Sequence, residues 1–471
     1  MNRVLTFLLL MVVLLRLPSL VEPNRYADED IYLTIGMALR EGRILYRDIH
    51  DNKPPLIYLT AAVAQNVPRF RFILLLWNLI HVAIFYQLAK LIMRNNRRVA
   101  VAGFLFVMLS TLPLLEGNIA NGEIFMIMPV TAAMWLFWKN QLSGSFKSFL
   151  EVGGLLAFGF LFKVTAVFEA GAVGIFLLFY QPISKSLVDK RVWGLILGFG
   201  LPIVVSIGLA YLWGAGEIYV RSALLQNIGY LSSWTGGSSS GLLERAGLVF
   251  TLIGLVFLMR NKLNRSFIFL TVWLLMSLLG ALLSSRPYPH YLLQITASFT
   301  LLIGAVTLTR RALAWFVVAI TTAFAAWQIK TVNFWYYRSW PYYFNFLQYA
   351  TGKISKPEYD NFFQGVSRNK AISGYVRQHT QPGERIFVWG TEPTIYVSAN
   401  RLPVGKYVTS YHIRDFDKTG ETFSQIQATL PKTIVIFASE GDYLGFVPWV
   451  KSHYSLAQEV QGAQIYLQPN F

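Results

Sequence analysis

Residues 3–20 read RVLTFLLLMVVLLRLPSL, and the next four are Val21-Glu22-Pro23-Asn24. A secretory signal of this length would end in a small-residue cleavage site, and none follows. The stretch therefore reads as a retained membrane helix, with Arg16 expected to snorkel to the outer surface. This start places the acidic segment beginning at residue 21 outside the membrane.

The same apolar character recurs near 72–93, 99–115, 122–138, 149–162, 164–180, 193–213, 242–259, 266–283, 290–308 and 312–329. A spanning helix needs about 20 such residues. As one helix, 149–180 would be about 48 Å long, too long for a single crossing, so a break is expected near Lys163, itself expected to snorkel. The loops alternate. One set is basic: Arg94, Arg97 and Arg98; Lys139 and Lys147; Lys185, Lys190 and Arg191; Arg260, Lys262 and Arg265; Arg310 and Arg311. The positive-inside rule puts these in the cytoplasm. The loops 21–71, 114–122, 214–241 and 284–289, richer in acids, Gly, Pro and Asn, then lie outside. The expected fold is a polytopic α-helical membrane protein of about eleven transmembrane helices. Its N-terminus is cytoplasmic and its C-terminus extracytoplasmic.

Composition agrees. Of 471 residues, 54% are hydrophobic and 14% charged, against about 25% charged in soluble domains. Mean hydropathy is +0.45. These values exclude a soluble enzyme and a disordered chain. The 41 basic and 24 acidic residues give a net +17, which fits cytoplasmic loops better than a nucleic-acid partner. With no cysteine, disulfides, thiolate chemistry and Cys-ligated zinc are excluded.

Three parts are expected: a membrane domain over 1–330, an aromatic linker over 331–368 and a small soluble α/β domain over 369–471. The stretch 332–349, VNFWYYRSWPYYFNFLQY, is dense in the Trp and Tyr that favour the membrane boundary. It suits an interfacial anchor or a lip against a lipid substrate. Beyond it, a helix over 369–379 precedes a turn at Pro382-Gly383. Strands are expected at 385–389 and 433–438, and a hairpin from 454–460 and 463–467 around Gly462.

Chemistry concentrates in the outer loops. The first carries Asp28, Glu29 and Asp30 in a row, then Tyr32, Gly42, Tyr46, Asp48, Asp51 and Lys53-Pro54-Pro55-Leu56. Adjacent acids repel, which would raise at least one carboxyl pKa toward the range of a general base. Asp28 stands at or just before a helix expected over 29–40 and could cap it. The prolines restrict the backbone at Lys53, whose ammonium could contact phosphate. The second loop ends in Asn121-Gly122-Glu123 at a helix start, where Glu123 would also complement the helix dipole. A later loop reads Ser284-Ser285-Arg286-Pro287-Tyr288-Pro289-His290-Tyr291, with Arg286 and His290 placed to bind an anion. The loop Gly236-Gly237-Ser238-Ser239-Ser240-Gly241 lacks the lysine and strand–helix context of a phosphate cradle.

In order, Asp28-Glu29-x-x-Tyr32, Gly42, Tyr46-x-Asp48 and Lys53-Pro54-Pro55-Leu56 resemble the first outer loop of glycosyltransferase family 39. That group includes protein O-mannosyltransferases and the aminoarabinose transferase of lipid A. Asn121-x-Glu123 resembles its second loop. Arg286-Pro287 with His290-Tyr291 resembles a later outer-loop motif of bacterial members. Val388-Trp389-Gly390-x-Glu392-Pro393-x-Ile395-Tyr396 is similar to a segment of other bacterial members. The resemblance runs over about 1–310 and 371–411.

It implies a C-type glycosyltransferase fold with an outer active site, in a bacterial inner membrane. The donor would be a sugar on polyprenyl phosphate, and the acceptor a lipid, glycan or protein. By position, Asp28 would be the catalytic carboxylate with Glu29 beside it. Lys53 would contact the donor phosphate, Arg286 and His290 the same phosphate or the sugar, and Glu123 would be the second-loop acid. Tyr32, Asp48, Asn121 and Tyr291 complete the substrate-binding positions. Asp30, a third acid, departs from the pattern. In-line displacement predicts inversion at the sugar. Asp28 and Glu123 would be the oxygen ligands of a divalent ion, Mg or Mn, if the reaction uses one; the sequence calls for none. A flippase or transporter of lipid-linked saccharides is the alternative. It is disfavoured because the helices hold few acids, chiefly Glu151 and Glu169. A membrane scaffold is a third reading.

Overall fold

A computed structural model describes residues 3–180, 189–227, 240–284, 286–306 and 312–469. Lys185, Arg310, Arg311, Ser285 and the glycine–serine loop at 236–239 lie outside them. The chain is a polytopic helical membrane protein with a small C-terminal sheet domain. Helices cover the expected apolar runs: α1 (Arg3–Val21), then, after α2 (Ala27–Arg40) and α3 (Leu56–Ala64) of the first outer loop, α4 (Val67–Met93), α5 (Asn96–Thr111), α6 (Gly122–Asn140), α7 (Phe146–Phe160) and α8 (Val167–Leu178). Beyond them lie helices Lys190–Leu212, Ser240–Leu258, Arg265–Ala281, Thr296–Val306 and Ala312–Val332. Five described spans are long and apolar enough to cross a membrane: Arg3–Val21, Val67–Met93, Lys190–Leu212, Pro289–Val306 and Ala314–Val332. The expected break falls between α7 and α8, where a short 3-10 turn, Val164–Ala166, follows Lys163.

Contacts divide the chain into two units. One comprises Met1–Leu17, Phe72–Leu209 and Ala223–Ser339. The other comprises Pro18–Arg71, Ala210–Ser222 and Trp340–Phe471. The first outer loop thus shares a unit with the C-terminal segment, a grouping that sequence order conceals.

Within the first unit, Arg16 does not snorkel. It is fully buried and donates to the carbonyls of Ser110 (3.5 Å) and Gly117. These carbonyls flank the turn after α5, where no continuing helix supplies N–H partners, so an internal guanidinium satisfies them.

In the second unit, α2 starts earlier than the sequence suggested. Its N-cap is Tyr26, which makes no side-chain cap bond. Asp28 is therefore inside the first turn rather than capping it, and it joins Glu29 and Asp30 at the positive end of the helix dipole. Gly36 allows α2 to cross α3 closely: a Cβ there would come within 2.6–2.9 Å of the Ala61–Ala62 backbone. Pro54 and Pro55 lead into α3, whose N-cap is Pro55.

The C-terminal sheet has four strands: β1 (Phe387–Trp389), β2 (Thr433–Phe437), β3 (Ser455–Val460) and β4 (Ala463–Leu467). Their order is β1-β2-β4-β3, with β1 parallel to β2 and the other pairs antiparallel. The β3–β4 turn has positive φ at both Gln461 and Gly462, as a tight hairpin requires. All five residues of β2 are buried, so it runs apolar rather than alternating. Phe387, Trp389, Ile434, Ile436, Phe446 and Val450 form the core. The helix expected over 369–379 is Val366–His379.

The aromatic linker is partly helical, over Ser339–Ala350. Tyr342 turns inward to pack with Tyr359, Phe363 and Val366. Tyr336 and Trp340 remain exposed.

Candidate active site

Three consecutive acids open α2, and their surroundings differ. Glu29 is 0% exposed and lies against Arg71 of α4: Nη2 to Oε2 is 2.6 Å, and Nε reaches Oε1 at 3.0 Å. Arg71 also lies 3.4 Å from Glu22. Burial works against ionisation of Glu22, but Arg71 and Arg25 outweigh it and hold its carboxyl below the usual range. Asp30, also buried, accepts from Thr394 Oγ1 at 2.6 Å and from Asn24 Nδ2 at 3.3 Å. Its pKa is raised to about 7, chiefly by burial, with the Glu29 charge contributing. A carboxyl raised by crowding was expected; desolvation is the larger cause. Only Asp28 of the three stays half-buried.

Asp28 accepts from the Tyr32 hydroxyl one helical turn on, at 3.3 Å. Lys53 Nζ lies 5.1 Å from the Tyr32 ring centroid and 3.7 Å from Asp51 Oδ2. Two phenols fix the Lys53 backbone: its N–H donates to Tyr58 Oη at 3.1 Å, and its carbonyl accepts from Tyr46 Oη at 2.7 Å. Tyr46 sits at φ 69 and stacks on Tyr219 with centroids 5.0 Å apart. The prolines are thus one part of a larger clamp on the lysine.

Asp51 is fully buried, 3.5 Å from His412 Nε2. Burial opposes its charge, and Lys53 overrides that, leaving the carboxyl below the usual range. Burial pushes His412 down, with the Asp51 carboxylate opposing the shift. Burial also drives His50 down to about 3, and Ser222 Oγ sits 3.4 Å from its Nδ1. Asp48 accepts from the Ile44 N–H at 2.8 Å and from Arg47. It supports the turn there.

The first unit holds a second polar cluster. Asn121 caps α6 by accepting from the Ile124 N–H at 3.1 Å. Glu123, buried in the first turn of α6, accepts from Lys163 Nζ and lies 3.6 Å from His290 Nε2. His290 Nδ1 meets Glu116 Oε2. Lys163 does not snorkel: it lies over the Tyr291 ring, 4.3 Å from the centroid, and pairs with Glu123 because a buried carboxylate needs a counter-charge. Arg286 is half-buried, its N–H donating to Ser284 Oγ at 3.4 Å.

The structure therefore brings Asp28, Tyr32 and Lys53 together in one unit, and Glu123, His290 and Tyr291 in the other. The sequence reading did not single out Asp51, His412, Tyr58, Arg71, Glu116 or Lys163 as site residues. Asp51 stands two residues before Lys53, and that proximity was the one local signal for it.

Residues 53–209, about a third of the chain, match the family described as dolichyl-phosphate-mannose-protein mannosyltransferase. The structure is similar to ArnT from Cupriavidus metallidurans bound to undecaprenyl phosphate, with a TM-score of 0.59 and 12% identity over 98% of this chain and 97% of that one. The fold is that of the C-type glycosyltransferases. The apo form of ArnT gives a TM-score of 0.56 at 12% identity, over the same shares of the two chains. A further C-type enzyme, the archaeal oligosaccharyltransferase AglB from Archaeoglobus fulgidus, in complex with an inhibitory peptide and a dolichol-phosphate, gives 0.50 at 13% identity over 99% of this chain and 74% of that one. No curated protein sequence matches the chain. Family match and C-type fold agree on one class, the membrane glycosyltransferases.

The donor set for a divalent ion is poor. Among the described residues no group of three or more His, Asp or Glu could hold a metal. Glu123 already faces Lys163 and His290.

Proposed function

We propose that this chain transfers a sugar from a polyprenyl-phosphate donor to an extracytoplasmic acceptor, with inversion at the anomeric carbon. The observation that carries the reading is the shared use of Tyr32, which donates to Asp28 and lies under Lys53. An accessible carboxylate and a fixed ammonium in one cluster are the two groups such a displacement needs. Asp28 accepts or orients the proton of the acceptor nucleophile. Lys53 neutralises charge developing on the departing phosphate. Glu29 acts as a positioning residue, held by Arg71 at the start of α2. Arg286 and His290 are proposed as further contacts to the anionic donor, and Glu123 as the second-loop acid. The ArnT and AglB structures hold undecaprenyl phosphate and dolichol-phosphate, which supports a lipid-linked donor here.

Glu169 is the observation that bears on a transporter, since a buried acid in a membrane helix is a default functional site. Here it accepts from Ser277 Oγ at 3.0 Å and Gln294 Nε2 at 3.1 Å. That network ties three helical segments together and favours a packing role. The test is mass spectrometry of copurified lipid and of envelope glycans from cells carrying wild type or Asp28→Asn. The enzyme reading expects a glycan that disappears in the variant while donor lipid accumulates. An unchanged glycan profile would overturn it.

A further inference from the structure

Helix Ser339–Ala350 carries no charged residue and divides into two faces. On one, Tyr342 and Asn345 are buried: Tyr342 packs on Tyr359 and Phe363, and Asn345 Nδ2 donates to the Tyr359 carbonyl at 3.1 Å. On the other, Trp340, Phe344 and Leu347 fall at i, i+4 and i+7 and are 76%, 49% and 53% exposed. The Trp340 and Phe344 rings stack, with centroids 6.4 Å apart. Three large apolar side chains aligned in one stripe, rather than scattered singly, mark an interaction surface.

The neighbours of this helix fix the level at which it sits. α1 is a membrane-spanning helix, and Val21 is its last residue. Near one end of Ser339–Ala350, the Tyr342 hydroxyl donates to Glu22 Oε2 at 2.9 Å. Near the other, the Tyr349 ring centroid lies 5.4 Å from Lys356 Nζ, which donates to the Val21 carbonyl at 3.2 Å. Tyr342 and Tyr349 are about 10 Å apart along the axis, yet both are tied to the place where α1 leaves the bilayer. The helix therefore runs along that boundary, where Trp and Tyr rings are favoured. Charge points the same way. Residues 331–357 hold no Asp or Glu. Arg338 and Lys353 bracket the helix and are exposed, and among the described residues their side chains make no hydrogen bond or ion pair. A second copy docked two-fold on this face would bring like charges together, whereas an anionic headgroup layer neutralises them.

We propose that helix Ser339–Ala350 is an interfacial element that binds the surface of an anionic phospholipid bilayer. Trp340, Phe344 and Leu347 insert at the boundary of headgroups and acyl chains, and Arg338 and Lys353 contact lipid phosphates. Through Tyr342 the same helix joins the Glu22–Arg71–Glu29 ion pairs at the start of α2, so the lipid-binding surface and the Asp28 end of that helix share one packed framework. Lipid binding needs no turnover, so its test is independent of the glycosyltransferase reading.

The chain has no cysteine, so a single introduced thiol can carry a fluorescent bimane probe. The full chain is labelled at Phe344→Cys or at Leu347→Cys and placed in nanodiscs, with Gln458→Cys on the exposed strand β3 as the water-facing control. Acrylamide quenches from water; doxyl-labelled phosphatidylcholine or phosphatidylglycerol quenches from lipid. Doxyl lipid should quench the labels at Phe344 and Leu347, and acrylamide the label at Gln458. At equal mole fraction, doxyl-phosphatidylglycerol should quench the helix labels roughly threefold more than doxyl-phosphatidylcholine, and Arg338→Gln with Lys353→Gln should remove that preference. Every substituted position is exposed, so these variants should fold, and two label sites guard against the loss of one. The proposal is overturned if acrylamide reaches both helix labels as readily as the control, which would leave the face in water. It is equally overturned if neither kind of quencher reaches them, which would put protein against the face, if the two lipids quench alike, or if their difference persists without the two cations.

Discussion

His412 Nε2 lies 3.5 Å from Asp51 Oδ1, and Asp51 Oδ2 lies 3.7 Å from Lys53 Nζ. A residue from the C-terminal segment thus reaches, through one buried carboxylate, the lysine proposed to meet the donor phosphate. Lys53 is the largest of the charges that hold the Asp51 carboxyl below the usual range against burial.

Asp51→Asn removes the charge that orients Lys53. The expected outcome is a donor KM raised roughly tenfold with a smaller change in kcat, since the lost interaction is one of binding and positioning. Steady-state transfer at varied donor concentration checks it. Equal losses in kcat and kcat/KM would mean that Asp51 acts in the transition state.

Glu29 and Arg71 form a buried ion pair that also involves Glu22. Glu29→Gln leaves Arg71 with Glu22 as a carboxylate partner and should cost less than the about 3–5 kcal/mol of a fully unpaired buried charge. Arg71→Met leaves two buried carboxylates and should be worse. Thermal unfolding in detergent should rank wild type above Glu29→Gln, and Glu29→Gln above Arg71→Met.

Asp30 makes a pH prediction. Its folded pKa, about 7, is above the ordinary aspartate value of 3.8. Below pH 4 both states are protonated and nothing is lost. As pH rises toward 7 the unfolded chain ionises while the folded one resists, so stability falls and then levels off above the folded value. Asp30→Asn removes this term. The midpoint difference, variant minus wild type, should grow between pH 4 and pH 7 and stay flat beyond. A difference independent of pH would contradict the assignment.

Lys163 and Glu123 should be coupled. Lys163→Met alone takes the ammonium partner from the buried Glu123 carboxylate, whereas Lys163→Met with Glu123→Gln removes the charge problem. A double-mutant thermal cycle should show a coupling of about 0.5–3 kcal/mol, with the double variant more stable than Lys163→Met.

What the sequence made legible was what hydropathy and local spacing encode. Apolar runs, the break beside Lys163, the strands at Phe387–Trp389 and Thr433–Phe437, and the Gly462 hairpin all follow from composition over a few residues. The run of three acids was equally visible. Which of them keeps solvent access was not, because that depends on Arg71, 42 residues after Glu29, and on Thr394, 364 residues after Asp30. Arg16 and Lys163 were misread for the same reason. A cation in an apolar run snorkels by default, and only the fold reveals an internal carbonyl or carboxylate that makes burial tolerable. The segment Trp389-Gly390-Thr391-Glu392 was recognised as a motif, yet its contacts are structural: Glu392 accepts from Arg368 and from Asn369 Nδ2, the latter at 2.7 Å.

The most direct test of the central claim is turnover of a polyprenyl-phosphate-linked sugar by the purified protein, comparing wild type with Asp28→Asn. Wild type should consume the donor, release polyprenyl phosphate and invert the anomeric centre. Asp28→Asn should fold normally and lose roughly a hundred- to ten-thousand-fold in rate. A folded Asp28→Asn protein that turns over donor at the wild-type rate, or a wild type that leaves the donor intact, would contradict the account.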